Sequence, residues 1–122
     1  MIGYVTLGTN DLARAATFYD AMAKELGVGR MMETERFIAW GAPEGGVGIG
    51  LTLPFDGKAA TVGNGVMVAF AAKDKAHVDR IHRLALSLGA KDEGAPGPRG
   101  ESFYAAYFRD LDGNKLNAFV MG

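Results

Sequence analysis

At 122 residues, of which 48% are hydrophobic, the chain is long enough for one respectable core and too short for two independently stable domains, so a single domain over 1–122 is expected. A formal net charge of -1 with scattered basic residues leaves no footprint for a nucleic-acid backbone, and the lack of cysteine removes disulfides, thiolate metal sites and cysteine nucleophiles. No apolar run reaches the ~18 residues of a membrane span, and Met1-Ile2-Gly3-Tyr4 is no basic leader, so a cytoplasmic protein with neither nucleic-acid nor membrane partners is expected.

A short apolar strand around Tyr4 to Leu7 opens the chain and leads into a helix from about Asp11 to Leu26. In that helix Leu12, Ala15 or Ala16, Tyr19, Met22 or Ala23, and Leu26 recur at three- and four-residue steps, with Asn10 or Asp11 as cap and Gly27 just past the end. Segments too short for helices follow, bounded by turn residues: Met31 to Thr34, Arg36 to Trp40, and Val47 to Leu53. The pattern then restarts. A strand at Val66 to Ala71 precedes a helix from about Asp74 to Leu88, whose face is Val78, Ile81, Leu84 or Ala85, and Leu88, closed by Gly89. Strands at Ala90 to Glu93, Phe103 to Phe108 and Lys115 to Val120 complete it. An offset of about 63 residues takes Tyr4 to Met67 and Asp11 to Asp74, so the chain reads as two β-α-β-β-β modules, about 1–56 and about 63–122. Each is too small to bury much core alone, which predicts one domain made by pairing them, with a cavity between.

Alternation along the strands sorts their faces. Val5, Leu7, Val47, Ile49, Leu51, Val66, Val68, Phe70, Leu116, Ala118 and Val120 can cover a helix. The opposite face then carries Tyr4, Thr6 and Gly8, then Gly46, Gly48 and Gly50, then Met67, Ala69 and Ala71, and finally Asn117 and Phe119. Three alternate glycines either admit a ligand or let another backbone approach closely. Trp40 joins the candidate lining, as does one of Tyr104 and Tyr107, whose parity allows only one of them to face the cavity.

Other constellations read as structural. His77 and His82, the only histidines, lie five residues apart, about 140° around a helix, so they cannot share a ligand and are expected at the surface or helix rim. Gly46-Val47-Gly48-Ile49-Gly50 resembles a phosphate loop but lacks the helix that should follow. Asp110-Leu111-Asp112-Gly113-Asn114 lacks the further ligands of a calcium loop and reads as a hairpin turn. With both histidines on one helix and no GxSxG elbow, no nucleophilic triad is proposed. Arg36, Arg99 and Arg109 read as solvated or paired, although an arginine at a cavity mouth could hold a carboxylate.

A strand leading into Asn10-Asp11-Leu12, a helix containing Phe18-Tyr19, and Arg109-Asp110-Leu111-Asp112-Gly113-Asn114-Lys115-Leu116 near the C-terminus together resemble the vicinal oxygen chelate superfamily, the fold of glyoxalase I, extradiol dioxygenases and bleomycin-resistance proteins. The resemblance covers essentially the whole chain. It implies an α+β fold in which the two modules pair into a curved, eight-stranded mixed sheet with a concave active-site face. It also implies a divalent metal held by His, Glu or Gln on the first and last strands of each half. Carried over, those positions fall on Tyr4, on Gly48 or Gly50, on Met67 and on Asn117, none a customary ligand. The expectation is therefore a protein without metal or other cofactor that binds a small molecule among Tyr4, Thr6, Trp40, Gly48, Gly50, Met67, Tyr104, Tyr107, Asn117 and Phe119. Rival expectations are a glyoxalase-type lyase or isomerase and a drug-sequestering resistance protein. The resemblance further implies a homodimer.

Overall fold

The computed structural model describes residues 1–42 and 44–122, which form two compact units, Met1–Val62 and Gly63–Gly122.

The first unit runs β1 (Tyr4–Gly8), α1 (Leu12–Leu26), β2 (Gly29–Glu33), β3 (Phe37–Gly41) and β4 (Gly48–Thr52). The start of α1 is set by Asp11, whose carboxylate accepts the Arg14 backbone N–H at 3.0 Å, and its end by Gly27, which adopts φ 80 where a side chain would be strained. The apolar steps of α1 press Ala15, Phe18, Tyr19 and Met22 onto Leu7, Ile38, Trp40 and Leu51, all at most 7% exposed. The sheet order is β1-β4-β3-β2, with β1 parallel to β4 and the other pairings antiparallel.

The second unit repeats this order: β5 (Val68–Ala71), α2 (Lys75–Ser87), β6 (Lys91–Pro98), β7 (Phe103–Arg109) and β8 (Lys115–Met121), arranged β5-β8-β7-β6. Asp74 caps α2 by accepting the His77 N–H at 2.8 Å. Val78, Ile81 and Ala85 bury against Phe108, Leu116 and Ala118, all 0% exposed. The α+β class and the twice-repeated β-α-β-β-β order are as expected, with the strands hydrogen-bonded as two mixed sheets of four. Among the described residues no helix is long and apolar enough to cross a membrane.

Three local expectations need correction. β6 continues to Pro98 instead of stopping at Glu93. It is an edge strand, where proline's missing N–H breaks no ladder, and irregularities between Asp92 and Gly94 and between Gly94 and Gly97 absorb its glycines. β5 begins at Val68 because the Val66 N–H is spent on Gly63 O at 3.2 Å, placing Val66 and Met67 just before the strand. Finally, His77 and His82 are buried, at 2% and 6% exposure, instead of lying at the surface. His77 Nδ1 accepts the Lys73 N–H at 3.0 Å, and His82 Nε2 meets Asp92 Oδ1 at 3.0 Å with its ring edge-on to Phe108, so hydrogen bonds keep both rings satisfied inside.

The Asp110–Asn114 segment is the expected hairpin turn. Asp110 Oδ1 accepts the N–H groups of Asp112 and Asn114, both at 2.9 Å, Asn114 Nδ2 donates to Asp110 Oδ2, and Gly113 takes φ 90. Both carboxylate oxygens thus serve the turn.

Candidate functional site

Each sheet has one face covered by its helix and one that is not, and strand register identifies the side chains on the uncovered face. In the first unit Tyr4 pairs with Gly48, Thr6 with Gly50, and Ala39 with Gly50 from the other side, so these residues share that face with Phe37 and Gly41. The glycines are not an empty floor. A Cβ at Gly50 would lie 2.7 Å from Phe37 Cζ and nearer still to Cε1, while a Cβ at Gly48 would meet Met31 Sδ and the Trp40 carbonyl oxygen at 3.0 Å. Gly48 and Gly50 therefore make room for the chain's own Met31 and Phe37. Phe37 leans towards Tyr4, ring centroids 6.0 Å apart, and Tyr4 is 56% exposed.

Trp40, expected in the lining, faces the other way. It is 1% exposed, lies 5.5 Å from the Tyr19 ring, and donates Nε1–H to Asp20 Oδ1 at 2.8 Å. Both partners are on α1, so Trp40 belongs to the core. Asp20 also accepts Arg30 Nε and Nη2 at 2.9 and 2.8 Å; Arg30 and then Trp40 hold its carboxyl below the ordinary carboxylate value against the opposing effect of burial.

In the second unit Ala69 pairs with Asn117, Tyr107 with Asn117, and Ala105 with Phe119. The uncovered face thus carries Ala69, Ala105, Tyr107, Asn117 and Phe119, with Phe103 stacked on Phe119 at 5.5 Å. Met67, 41% exposed, precedes β5 at the end of this row. The choice between the tyrosines is thereby settled. Tyr107 is on the uncovered face, whereas Tyr104 donates its hydroxyl to Asp79 Oδ1 on α2 at 2.8 Å, a bond that raises its pKa.

Asn117 is the unusual member. It is 1% exposed, and its Oδ1 is buried without a hydrogen-bond partner among the described residues. An unmet buried acceptor costs about 1–3 kcal/mol, so it is a feature that packing alone would remove. The Tyr107 hydroxyl likewise has no partner among the described residues; its ring is approached by Arg99 Cζ at 5.5 Å and Lys115 Nζ at 5.6 Å. Sequence reasoning missed Lys115 as a neighbour of the site, although it stands two residues from Asn117 on one strand. Arg99 is, with Arg36 and Arg109, among the arginines that could hold a carboxylate, but it comes from the loop beyond β6 and carries no period that singles it out.

Small surface hollows occur away from Tyr107 and Asn117. One of ≈ 40 Å³ lies beside Lys75, Ser102 and Tyr104, and a wider one of ≈ 220 Å³ lies beside Thr9, Arg36, Pro54 and Lys58. Neither contains the unmet acceptor, and the second has Arg36 Nη2 already donating to Pro54 O.

A model of the Glyoxalase/Bleomycin resistance protein/Dioxygenase superfamily matches residues 1–118, spanning both units. The chain belongs to that superfamily. A solved glyoxalase/bleomycin resistance protein from Albidiferax ferrireducens T118 is 35% identical, with 100% of this chain and 99% of that one covered and a TM-score of 0.91. A glyoxalase/bleomycin resistance protein/dioxygenase family enzyme from Burkholderia phytofirmans PsJN shares the fold at 18% identity and TM-score 0.78, with 98% of each chain covered. A putative glyoxalase from Bacillus halodurans does so at 18% identity and TM-score 0.79, covering 98% of this chain and 95% of its own. None of the curated proteins compared matches.

The divalent metal implied by this superfamily can be tested against the donors present. Tyr4 offers a phenol, Met67 a thioether, Asn117 an amide and Gly48 or Gly50 no side chain at all. No such group brings the negative charge or imidazole that offsets dehydration of a dication, and among the described residues no three His, Asp or Glu side chains gather to hold one. The donor set does not fit the superfamily's metal.

Proposed function

We propose that this superfamily member binds a small organic molecule on the uncovered face of its second unit, against Tyr107, Asn117 and Phe119, without a divalent metal. The observation that carries this is the buried, unpartnered Asn117 Oδ1, which a ligand's hydroxyl or N–H would satisfy. A fragment screen by ligand-observed NMR tests it: hits that carry a hydroxyl or N–H donor should bind the parent protein and fade in Asn117→Leu, which keeps the volume and removes the acceptor. Donor-bearing hits indifferent to that change, or no hits at all, would overturn the reading. Asn117→Leu should also gain about 1–3 kcal/mol of stability, since the unmet acceptor disappears with the amide.

Turnover is a second reading, favoured by the Tyr107 hydroxyl, which has no partner among the described residues and stands opposite Asn117 in the strand register. A lyase or isomerase of glyoxalase type would process a hemithioacetal and lose the activity in Tyr107→Phe; an inert parent protein argues for binding alone. Sequestration of a bulky cationic drug is disfavoured by Lys115 and Arg99 on the face concerned.

The proposal includes a homodimer. β1 and β5 are edge strands of their sheets, and Tyr4, Val47, Val66 and Met67 are 56%, 62%, 53% and 41% exposed. A second copy covering such positions would give light scattering above the 12.9 kDa of one chain; a lone 12.9 kDa species refutes it.

A further inference from the structure

The cations around Tyr107 narrow the kind of molecule its face can take. Lys115 Nζ forms no ion pair within bonding distance among the described residues; the carboxylate that feels it is Glu93, which is held by Arg109 at 2.7 Å. Arg99 is pinned. Its Nη1 donates to Gly97 O at 3.0 Å and its Nη2 to Ala95 O at 2.9 Å. The space it lies in exists because of two glycines: a Cβ at Gly94 would stand 3.2 Å from Nη2, and one at Gly97 3.3 Å from Nη1. A guanidinium has five N–H donors, so this anchoring leaves donors for a ligand, and a side chain already held loses little rotamer freedom when one arrives.

Charge on this face is lopsided. Lys91 and Arg109 are register partners at the β6–β7 end, Lys115 pairs with Arg109 across β7–β8, and Arg99 lies over Tyr107, so four cations gather here, of which Arg109 is held by Glu93. Asp92 is turned to the opposite side, towards His82 on α2. Such an excess attracts an anion, and its neighbour Asn117 Oδ1 asks for a donor.

Building on the proposed binding role, we infer that the second unit selects a small organic anion that also carries a hydroxyl or N–H donor. The carboxylate or phosphate lies against Lys115 and Arg99, the apolar body rests on Tyr107 and Phe119, and the donor reaches Asn117 Oδ1. Charge-assisted bonds to the two cations supply affinity, while the amide separates hydroxylated anions from plain ones.

Three probes on one ring separate these contributions: 3-hydroxybenzoate, benzoate and the neutral 3-hydroxybenzamide, titrated into isotope-labelled protein with backbone shifts followed at Tyr107, Lys115 and Asn117. The expected result is that 3-hydroxybenzoate binds about ten-fold more tightly than the amide, an advantage lost in Lys115→Met and reduced by added salt. Asn117→Leu should weaken 3-hydroxybenzoate and leave benzoate unchanged. If 3-hydroxybenzamide moves the same resonances with equal affinity, the anion class is wrong although the site stands. If none of the three moves them, the binding role itself falls.

Discussion

Gly50 and Asn117 occupy the same place in the two modules. Gly50 faces Thr6 and Ala39 across its neighbours, while Asn117 faces Ala69 and Tyr107. The sequence left the counterpart of Asn117 open between Gly48 and Gly50, because glycine-rich alternation shows a face without showing a register. Strand pairing resolves it to Gly50. The absence of a side chain there is filled by Phe37, so Gly50→Val should force the ring off its seat and cost about 1–3 kcal/mol, read as a lower urea midpoint at unchanged slope. An unchanged midpoint would mean that Phe37 moves freely and that Gly50 lines usable space after all. Trp40 shows the opposite limit of sequence reading. Aromatic character suggested a lining role, but only the position of Asp20 on α1 decides which way the indole turns.

At the scale of elements, helices were the most legible parts. Their caps, Asp11 and Asp74, and the terminal Gly27 stand where three-and-four spacing and capping chemistry put them. Strand ends were less so, and β6 least, since an edge strand tolerates prolines and glycines that would end a central one. The tie between α1, β2 and β3 runs through one carboxylate, Asp20, shared by Arg30 and Trp40. Its folded pKa is held below the ordinary carboxylate value, so its stabilisation is fully present above that value and is lost as pH falls through the lower folded pKa. Asp20→Asn should therefore flatten this part of the stability profile as the pH falls through and below the ordinary carboxylate range, measured by denaturant titration at each pH. A profile as steep as the parent's would place the acid sensitivity elsewhere, for instance at Glu93, which Arg109 lowers in the same direction.

For the whole molecule, the duplication and the two motif segments sufficed to expect the superfamily, and the match over residues 1–118 bears that out. The proposed binding face was only partly readable. Parity found Asn117 and Phe119 and narrowed the tyrosines to two, but the partner choice that excludes Tyr104, and the folding of Arg99 onto Tyr107, depend on contacts between segments distant in sequence. If the chain dimerises as proposed, its thermal midpoint should rise with protein concentration by mass action, a dependence a stable monomer lacks.

The Phe37-over-Gly50 arrangement has a further consequence. Two copies of one frame have taken unequal duties: in the first, the inner positions are plugged by the protein's own hydrocarbon, and in the corresponding row of the second they hold an amide, a phenol and cations. Inheritance of a symmetric scaffold therefore imposes no symmetry on how its two inner rows are filled. With binding in the second unit as proposed, substitutions that retune selectivity belong in the C-terminal copy, while its N-terminal twin is free to drift so long as its plug continues to fit.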